Sequence, residues 1–192
     1  ADEIDEFINR VPDHVVVAFD EAYFEYVDDP EFPDGLRYAR QGRRVVVLRT
    51  FSKAYGLAGL RVGYGACSKS VADALKLSVE PFNVSLVSQK AAIAALQDQR
   101  HVEKSRAMVA EGRQYLYDQF DGMGLEHVPS QANFVLVDTG IDSREVFDEL
   151  MRRGITIRTG DIWGLDTWIR VTVGTPKDNE AFIESLGEIL RD

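Results

Sequence analysis

A lysine and an arginine stand eight residues apart around a glycine-rich turn, in the stretch RTFSKAYGLAGLRVGYG at residues 49–65. The amine of Lys53 can condense with an aldehyde. The hydroxyls of Thr50 and Ser52, together with the guanidinium of Arg61, can hold a phosphate group. These residues predict a site for an aldehyde cofactor that carries a phosphate, with Lys53 as its nucleophile.

Two strand ends would position these groups. An apolar, β-branched run at residues 45–48 predicts a buried strand that ends shortly before Lys53, and a second run at residues 14–19 ends at Asp20. In open α/β sheets, ligands bind beyond the carboxyl ends of the strands. A carboxylate there can keep a pyridine nitrogen protonated, and Tyr23 can hydrogen-bond a phenolic ring oxygen. The alternative interpretation of Lys53 is a solvated loop lysine, and that of Asp20 is a helix N-cap.

The motifs around these residues resemble those of a known family. D-E-A-Y at residues 20–23 and R-T-F-S-K-A-Y-G-L-A-G-L-R-V-G-Y at residues 49–64 are similar to motifs of the fold type I pyridoxal-phosphate aminotransferases, above all the histidinol-phosphate aminotransferases. The resemblance continues through P-F-N-V-S at 81–85, P-S-Q-A-N-F at 129–134 and I-R-V-T-V-G-T at 169–175. It implies pyridoxal 5'-phosphate as cofactor and a ping-pong reaction. Histidinol phosphate and 2-oxoglutarate would give imidazole acetol phosphate and glutamate, a step of histidine biosynthesis.

The resemblance also implies a role for each cofactor-site residue. Lys53 would be the Schiff-base lysine and would carry a proton between the substrate's α-carbon and C4′ of the cofactor. Asp20 would pair with the pyridine nitrogen, and Tyr23 would contact the ring oxygen. Ser52 and Arg61 would bind the cofactor phosphate.

Two arginines near the carboxyl terminus would bind the substrate. By resemblance, Arg170 would clamp the α-carboxylate, and Arg158 would face the distal anion, which is a phosphate in one half-reaction and a carboxylate in the other. Guanidinium forks bind both kinds of anion bidentately, so two anions on one substrate call for two arginines. The alternative for Arg170 is a half-exposed strand arginine paired with Asp161 or Asp166.

The pattern of strands and helices predicts an α/β fold in two parts. Residues 1–112 would be the carboxyl-terminal part of the family's cofactor-binding large domain, and residues 113–192 a small C-terminal α+β domain. In the family, an amino-terminal half supplies a glycine-rich phosphate loop, an aromatic side chain that stacks on the ring and an asparagine beside the ring oxygen. This sequence has no match to these elements and resembles the carboxyl-terminal half alone.

A half-domain predicts both low activity and a partner. We expect little transamination by this chain alone, because the cofactor would have its lysine but only half of its binding site. Exposed sheet edges and apolar faces favour association. The expected partner is a second copy, in a homodimer, or the missing amino-terminal half.

The composition argues against several kinds of partner and binding site. A net charge of -10 without a basic stripe disfavours a nucleic-acid partner. One cysteine excludes an internal disulfide framework, and the three histidines lack the spacing of metal ligands, so no metal site is predicted. The sequence contains no run long enough to span a membrane and no signal peptide, which predicts a cytoplasmic protein.

Three other functions remain open from the sequence. A pyridoxal-phosphate decarboxylase of a phosphorylated amino acid, or an aminotransferase for other amino acids, would use the same lysine motif. Release of carbon dioxide would distinguish decarboxylation. A non-catalytic binding or assembly module is the third alternative, although the intact set of Asp20, Tyr23, Lys53 and Arg61 argues against it.

Overall fold

The computed structural model describes residues 2–191 and forms two compact units, one ending at Glu103 and the other beginning at Lys104. The boundary at residue 112 stays a prediction. The helices are α1 (Asp2–Arg10), α2 (Leu36–Arg40), α3 (Lys69–Lys76), α4 (Leu86–Gln97), α5 (Gln99–Met123), α6 (Ser143–Arg152) and α7 (Pro176–Ile189). The strands are β1 (Val17–Asp20), β2 (Val45–Thr50), β3 (Gly63–Cys67), β4 (His127–Val128), β5 (Phe134–Asp138), β6 (Arg158–Thr159) and β7 (Trp168–Thr172).

The first unit contains a three-stranded sheet in the order β1-β2-β3. Strands β1 and β2 are parallel, and Asp20 lies opposite Leu48. Strand β3 runs antiparallel to β2, and Gly63 lies opposite Thr50. The carboxyl ends of β1 and β2 and the amino end of β3 therefore share one edge of the sheet.

Strand β2 is buried at its start and lies at the centre of the sheet. Residues 45–47 are all buried, as expected for a strand covered on both faces. The predicted strand at residues 45–48 continues to Thr50, because β3 pairs with its last two residues. The strand predicted at residues 14–19 begins only at Val17, where pairing with Val45 starts. The preceding Val15 instead closes a turn by donating its backbone N–H to the carbonyl of Pro12.

One segment of the first unit, residues 75–96, exposes many large apolar side chains. It comprises the end of α3, a loop and most of α4. The exposed side chains are Leu75, Leu77, Val79, Phe82, Leu86, Val87, Ile93 and Leu96. Phe82 is fully exposed and has a φ of 61°, a conformation that bulky residues rarely adopt. Large exposed apolar patches on soluble proteins are typical of surfaces that contact another molecule.

The second unit contains a four-stranded antiparallel sheet in the order β4-β5-β7-β6. Its core is built from the inward side chains of β5 and β7 and the apolar faces of α5, α6 and α7. The fully buried apolar residues are Leu116, Phe120, Val135, Val137, Val146, Leu150, Ile169 and Leu186. Buried and half-buried residues alternate along β5, as expected for a strand with one face on the core.

Within residues 2–191, every helix is too short or too polar to span a membrane.

Candidate active site

Lys53 and Tyr23 meet at the shared edge of the first sheet. Lys53 lies in the turn after β2, and its Nζ is 5.1 Å from the centroid of the Tyr23 ring in the turn after β1. The buried Phe51 anchors the lysine turn: its backbone N–H donates to the carbonyl of Val62, and its carbonyl accepts from Leu57. The parallel pairing of β1 and β2 thus brings together two predicted site residues that are 30 positions apart in the sequence.

The three predicted phosphate ligands also lie together. Thr50, Ser52 and Arg61 line one shallow depression of about 420 Å³ at the same edge, beside Gly63 and Tyr64. The Oγ1 of Thr50 accepts the backbone N–H of Ser52 at 3.1 Å, which leaves its own hydroxyl proton for another acceptor. Two hydroxyls and a guanidinium suit an anion with several oxygens.

Arg61 has a strained backbone at this depression. Its φ of 48° and ψ of 52° are in the left-handed region, and its Nη1 donates to the carbonyl of Ala58 at 2.9 Å. Holding a residue other than glycine in this region costs about 1–3 kcal/mol of folding free energy, and such strain is concentrated at functional sites.

Asp20 ends β1 and is exposed at the shared edge. Its Oδ1 accepts the backbone N–H of Ala22 at 3.2 Å. The helical turn that follows begins at Phe24 and has Tyr23 as its N-cap. Asp20 is therefore not a helix cap, which was the alternative interpretation of this residue.

The same edge contains a buried ion pair that the sequence analysis missed. Glu21 is 7% exposed, and its Oε2 accepts from Nε and Nη2 of Arg49 at 2.9 and 2.8 Å. Its Oε1 accepts the backbone N–H of Gly35 at 2.7 Å. Both charged residues lie inside the two quoted motifs. Opposite charges at the ends of two strands that were expected to be neighbours were the signal that could have identified this pair.

A second carboxyl group near this pair, that of Glu25, has a raised pKa. Burial, its largest cause, raises the pKa of Glu25, and the charge of Glu21 adds to the effect, while the backbone amide of Glu25 itself and the charge of Arg49 oppose it. The Oε2 of Glu25 is buried and has no hydrogen-bond partner among residues 2–191. Burial also raises the pKa of Tyr55, with Glu25 as the next largest cause. The Glu25 carboxyl therefore keeps its proton to a higher pH than an ordinary glutamate does.

In the second unit, the two predicted substrate arginines lie side by side. Arg158 in β6 is the register partner of Arg170 in β7, so both side chains lie on one face of the sheet. The guanidinium carbon of Arg170 is 4.8 Å from the centroid of the Phe134 ring and 5.8 Å from that of Trp163. Its Nε is buried and has no hydrogen-bond partner in the described part of the chain.

The alternative interpretation of Arg170, an ion pair with an aspartate, is not found. Asp161 pairs instead with Arg144 at 2.7 Å, and no pair joins Arg170 to Asp166 among the residues that the structure describes. Like charges directly opposite each other destabilise a sheet unless something compensates them. An anion bound between Arg158 and Arg170 would provide that compensation.

Residues 1–186 match the family described as aminotransferase class I and II. The histidinol-phosphate aminotransferase of Moorella thermoacetica is 53% identical over 188 residues, which cover 97% of this chain and 49% of the relative. That of Akkermansia muciniphila is 50% identical over 188 residues, which cover 98% and 51%. The chain spans about half the length of the curated relatives it matches.

Solved structures agree with the sequence comparison. Histidinol-phosphate aminotransferase from Sinorhizobium meliloti, in complex with pyridoxal-5'-phosphate, has a TM-score of 0.89 and 33% identity, and the match covers 100% of this chain and 53% of that one. The enzyme from Clostridium acetobutylicum has a TM-score of 0.90 at 23% identity, with coverage of 99% and 59%, and supports the fold alone. The predicted α/β fold of these transferases, with part of its large domain, is confirmed. The chain belongs to the class I and II aminotransferases.

Proposed function

We propose that this chain is part of a pyridoxal-phosphate-dependent histidinol-phosphate aminotransferase, which transfers an amino group between histidinol phosphate and 2-oxoglutarate in histidine biosynthesis. The observation that carries the proposal is the meeting of Lys53 and Tyr23 beside the depression lined by Thr50, Ser52 and Arg61. The names of the relatives support the choice of substrate.

The residues at the sheet edge fit the cofactor. The hydroxyls of Thr50 and Ser52 and the guanidinium of Arg61 would hold its phosphate, and their common depression has the donors that a phosphate needs. Asp20 would pair with the pyridine nitrogen and keep it protonated. When bound, pyridoxal phosphate supplies an electron sink for the bonds of the substrate's α-carbon.

Lys53 would do the proton chemistry. Its amine would bind the cofactor's aldehyde carbon between turnovers and would take the proton from the substrate's α-carbon as a general base. Tyr23 would donate a hydrogen bond to the cofactor's ring oxygen. It would also keep the lysine amine nearby, since Nζ of Lys53 lies 5.1 Å from the centroid of the Tyr23 ring.

The two arginines would recognise the substrate's anions. Arg170 would clamp the α-carboxylate of glutamate, and Arg158 would face the phosphate or the distal carboxylate. The unpartnered Nε of Arg170 supports this role, because a buried donor without a partner costs free energy that a bound carboxylate would recover. The register of the two arginines supports a site for anions on this face.

A partner polypeptide is also part of the proposal. The chain spans about half of its relatives' length, and residues 75–96 expose a set of large apolar side chains. We propose that a second copy, or the amino-terminal half of the enzyme, covers this segment, and that the complex works in the cytoplasm. The chain alone would therefore show little turnover.

Cofactor binding tests the lysine. The purified chain is mixed with pyridoxal phosphate, its visible absorbance is recorded, and borohydride then fixes any adduct. We expect an adduct on Lys53 that is absent in Lys53→Ala and unchanged in Lys69→Ala, because the Lys69 side chain is 88% exposed and pairs with an exposed aspartate on its own helix. An adduct that survives in Lys53→Ala would contradict the proposal.

Product analysis tests the reaction. The chain is assayed alone and after joining to the amino-terminal half of the Moorella thermoacetica relative, with histidinol phosphate and 2-oxoglutarate as substrates. We expect glutamate from the joined protein and little from the chain alone. Carbon dioxide in place of glutamate would identify a decarboxylase, and substantial turnover by the chain alone would refute the need for a partner.

A further inference from the structure

A buried ion pair ties together the two strand ends that carry the proposed cofactor residues. We propose that Glu21 and Arg49 are positioning residues, whose fork holds the Tyr23 turn and the Lys53 turn in the geometry that the cofactor requires. This inference rests on the proposed function, because it concerns how the lysine site is held. Neither side chain would touch the reacting atoms.

Glu21 is held from three directions. Its side chain is 6% exposed, and its two oxygens accept three hydrogen bonds, two from Arg49 and one from the backbone of Gly35. Its own backbone N–H donates to the carbonyl of Leu48 in β2, at 2.9 Å. A β-carbon on Gly35 would lie 2.6 Å from Oε1 of Glu21, so a larger residue there would displace the carboxylate.

Arg49 connects every element at this edge. Its side chain is 11% exposed, and Nη2 donates both to Glu21 and to Oδ1 of Asp34, at 2.8 and 3.0 Å. Its guanidinium carbon lies 3.8 Å from the centroid of the Phe24 ring, the residue after Tyr23. It also lies opposite Tyr64 of β3 in the register of the sheet. A planar fork held by two carboxylates and an aromatic ring has very little freedom to shift.

Covalent connection transmits this rigidity to the site. Glu21 directly follows Asp20 and precedes Tyr23 by two residues, while Arg49 precedes Lys53 by four. The buried Phe51 stands between Arg49 and Lys53 and leaves little slack in the turn. Any displacement of the fork therefore moves the Lys53 amine relative to the Tyr23 ring.

Stability alone gives no reason for such a pair. A buried ion pair is often replaced by apolar residues of similar volume at no cost in stability, because desolvation offsets the attraction between the charges. The pair does, however, fix the direction and the distance between the two strand ends, which apolar packing would not do. Positioning is therefore the role that its geometry suits.

The test uses the six lysines of the chain as an internal standard. Pyridoxal phosphate condenses with an amine and loses water, and borohydride then adds hydride to the carbon–nitrogen double bond and fixes the label as a secondary amine. Peptide mass spectrometry gives the labelling of Lys53 relative to the other lysines. Glu21→Gln and Arg49→Lys are compared with the unmodified chain, because each keeps nearly the same volume and removes the charged fork.

Asp34→Asn is the matched control. The Asp34 side chain is 44% exposed, and its carboxylate is the second one that contacts Arg49. The substitution neutralises this carboxylate and leaves the fork with Glu21 in place. We expect Lys53 selectivity to fall about tenfold to a hundredfold in Glu21→Gln and Arg49→Lys, since a displacement of about 1 Å can cost that much, and to stay unchanged in Asp34→Asn. Circular dichroism and the melting midpoint of each variant establish that it is folded.

Each outcome decides the matter. Loss of selectivity in the two folded fork variants alone supports the inference. Equal selectivity in all four proteins overturns it while the proposed function stands, and an equal loss in Asp34→Asn overturns it in favour of a general charge effect. If the unmodified chain itself labels Lys53 no more than its other lysines, the proposed cofactor site fails, and the inference fails with it. If both fork variants are unfolded, the pair is structural and the positioning role is refuted.

Discussion

Replacing Gly160 by alanine should destabilise the second unit strongly. Gly160 follows β6 and precedes the helical turn that carries Trp163. An alanine β-carbon there would lie 2.5 Å from the carbonyl oxygen of Trp168 and closer still to that of Leu165, and both obstacles are backbone. The clash can be relieved only if the loop moves away from β7.

The cost follows from the contacts that such a movement would break. Gly160 donates its N–H to the carbonyl of Trp168 at 2.7 Å, and its carbonyl accepts the N–H of Leu165 at 3.1 Å. Two lost hydrogen bonds cost about 2 kcal/mol, and overpacking adds about 1–3 kcal/mol. The reduced freedom of the unfolded chain returns about 0.4–1 kcal/mol. We expect a net loss of about 3 kcal/mol in the free energy of unfolding.

The chain contains its own reporters for this measurement. Its two tryptophans, Trp163 and Trp168, both flank the loop, so tryptophan fluorescence follows the unfolding of the second unit. A loss of this size should lower the melting midpoint by about 12 °C or more, at about 4–8 °C per kcal/mol for a unit of this length. The matched control is Gly122→Ala, where no heavy atom lies within 4 Å of the new β-carbon.

The control should move in the opposite direction. Gly122 lies inside helix α5, where alanine is favoured over glycine by about 0.5–1 kcal/mol. A melting midpoint for Gly160→Ala that equals that of the unmodified chain, or that matches the Gly122→Ala result, would refute the close approach of this loop to β7.

Three further predictions concern stability. Thr175→Ala should cost about 1 kcal/mol in urea unfolding, because Thr175 and Asp178 form a reciprocal capping box at the start of α7; an unchanged midpoint would contradict it. Glu25→Gln should become increasingly stabilising as the pH rises above 4.5, because the folded chain holds this proton while the unfolded chain releases it, so the native glutamate loses stability over that range. Melting curves from pH 4 upward check this, and a difference that shrinks with rising pH would refute it. Leu150→Ala should cost about 2–5 kcal/mol, whereas Leu77→Ala, at a side chain that is 89% exposed, should change little; equal effects would contradict the core assignment.

Much of the cofactor site could be predicted from short stretches of sequence. Lys53 and Asp20 each follow an apolar run, and such runs predict strands through local periodicity. Since ligands bind at the carboxyl ends of parallel strands, the two residues could be assigned to one edge before any contact was known. Thr50, Ser52 and Arg61 could be grouped because they surround the same lysine in the chain.

Other features depend on pairings between distant residues. The fork between Glu21 and Arg49 joins positions 28 residues apart, and the depth of its burial depends on Phe24 and Asp34 as well. Charged residues in a motif are most often exposed, so composition alone does not predict a buried pair. The left-handed backbone of Arg61 could not be predicted either, because residues with side chains seldom adopt it.

The sequence by itself determined the chemistry that each strand end can offer and the family to which the chain belongs, because motifs and periodicity are properties of neighbouring residues. Only the tertiary structure decided that Arg158 lies directly opposite Arg170, that Phe134 and Trp163 flank the Arg170 guanidinium, and that Lys53 approaches Tyr23. The physical reason is strand register. A shift of one residue would place every side chain on the other face of the sheet, and register is set by the packing of the whole unit rather than by any local stretch.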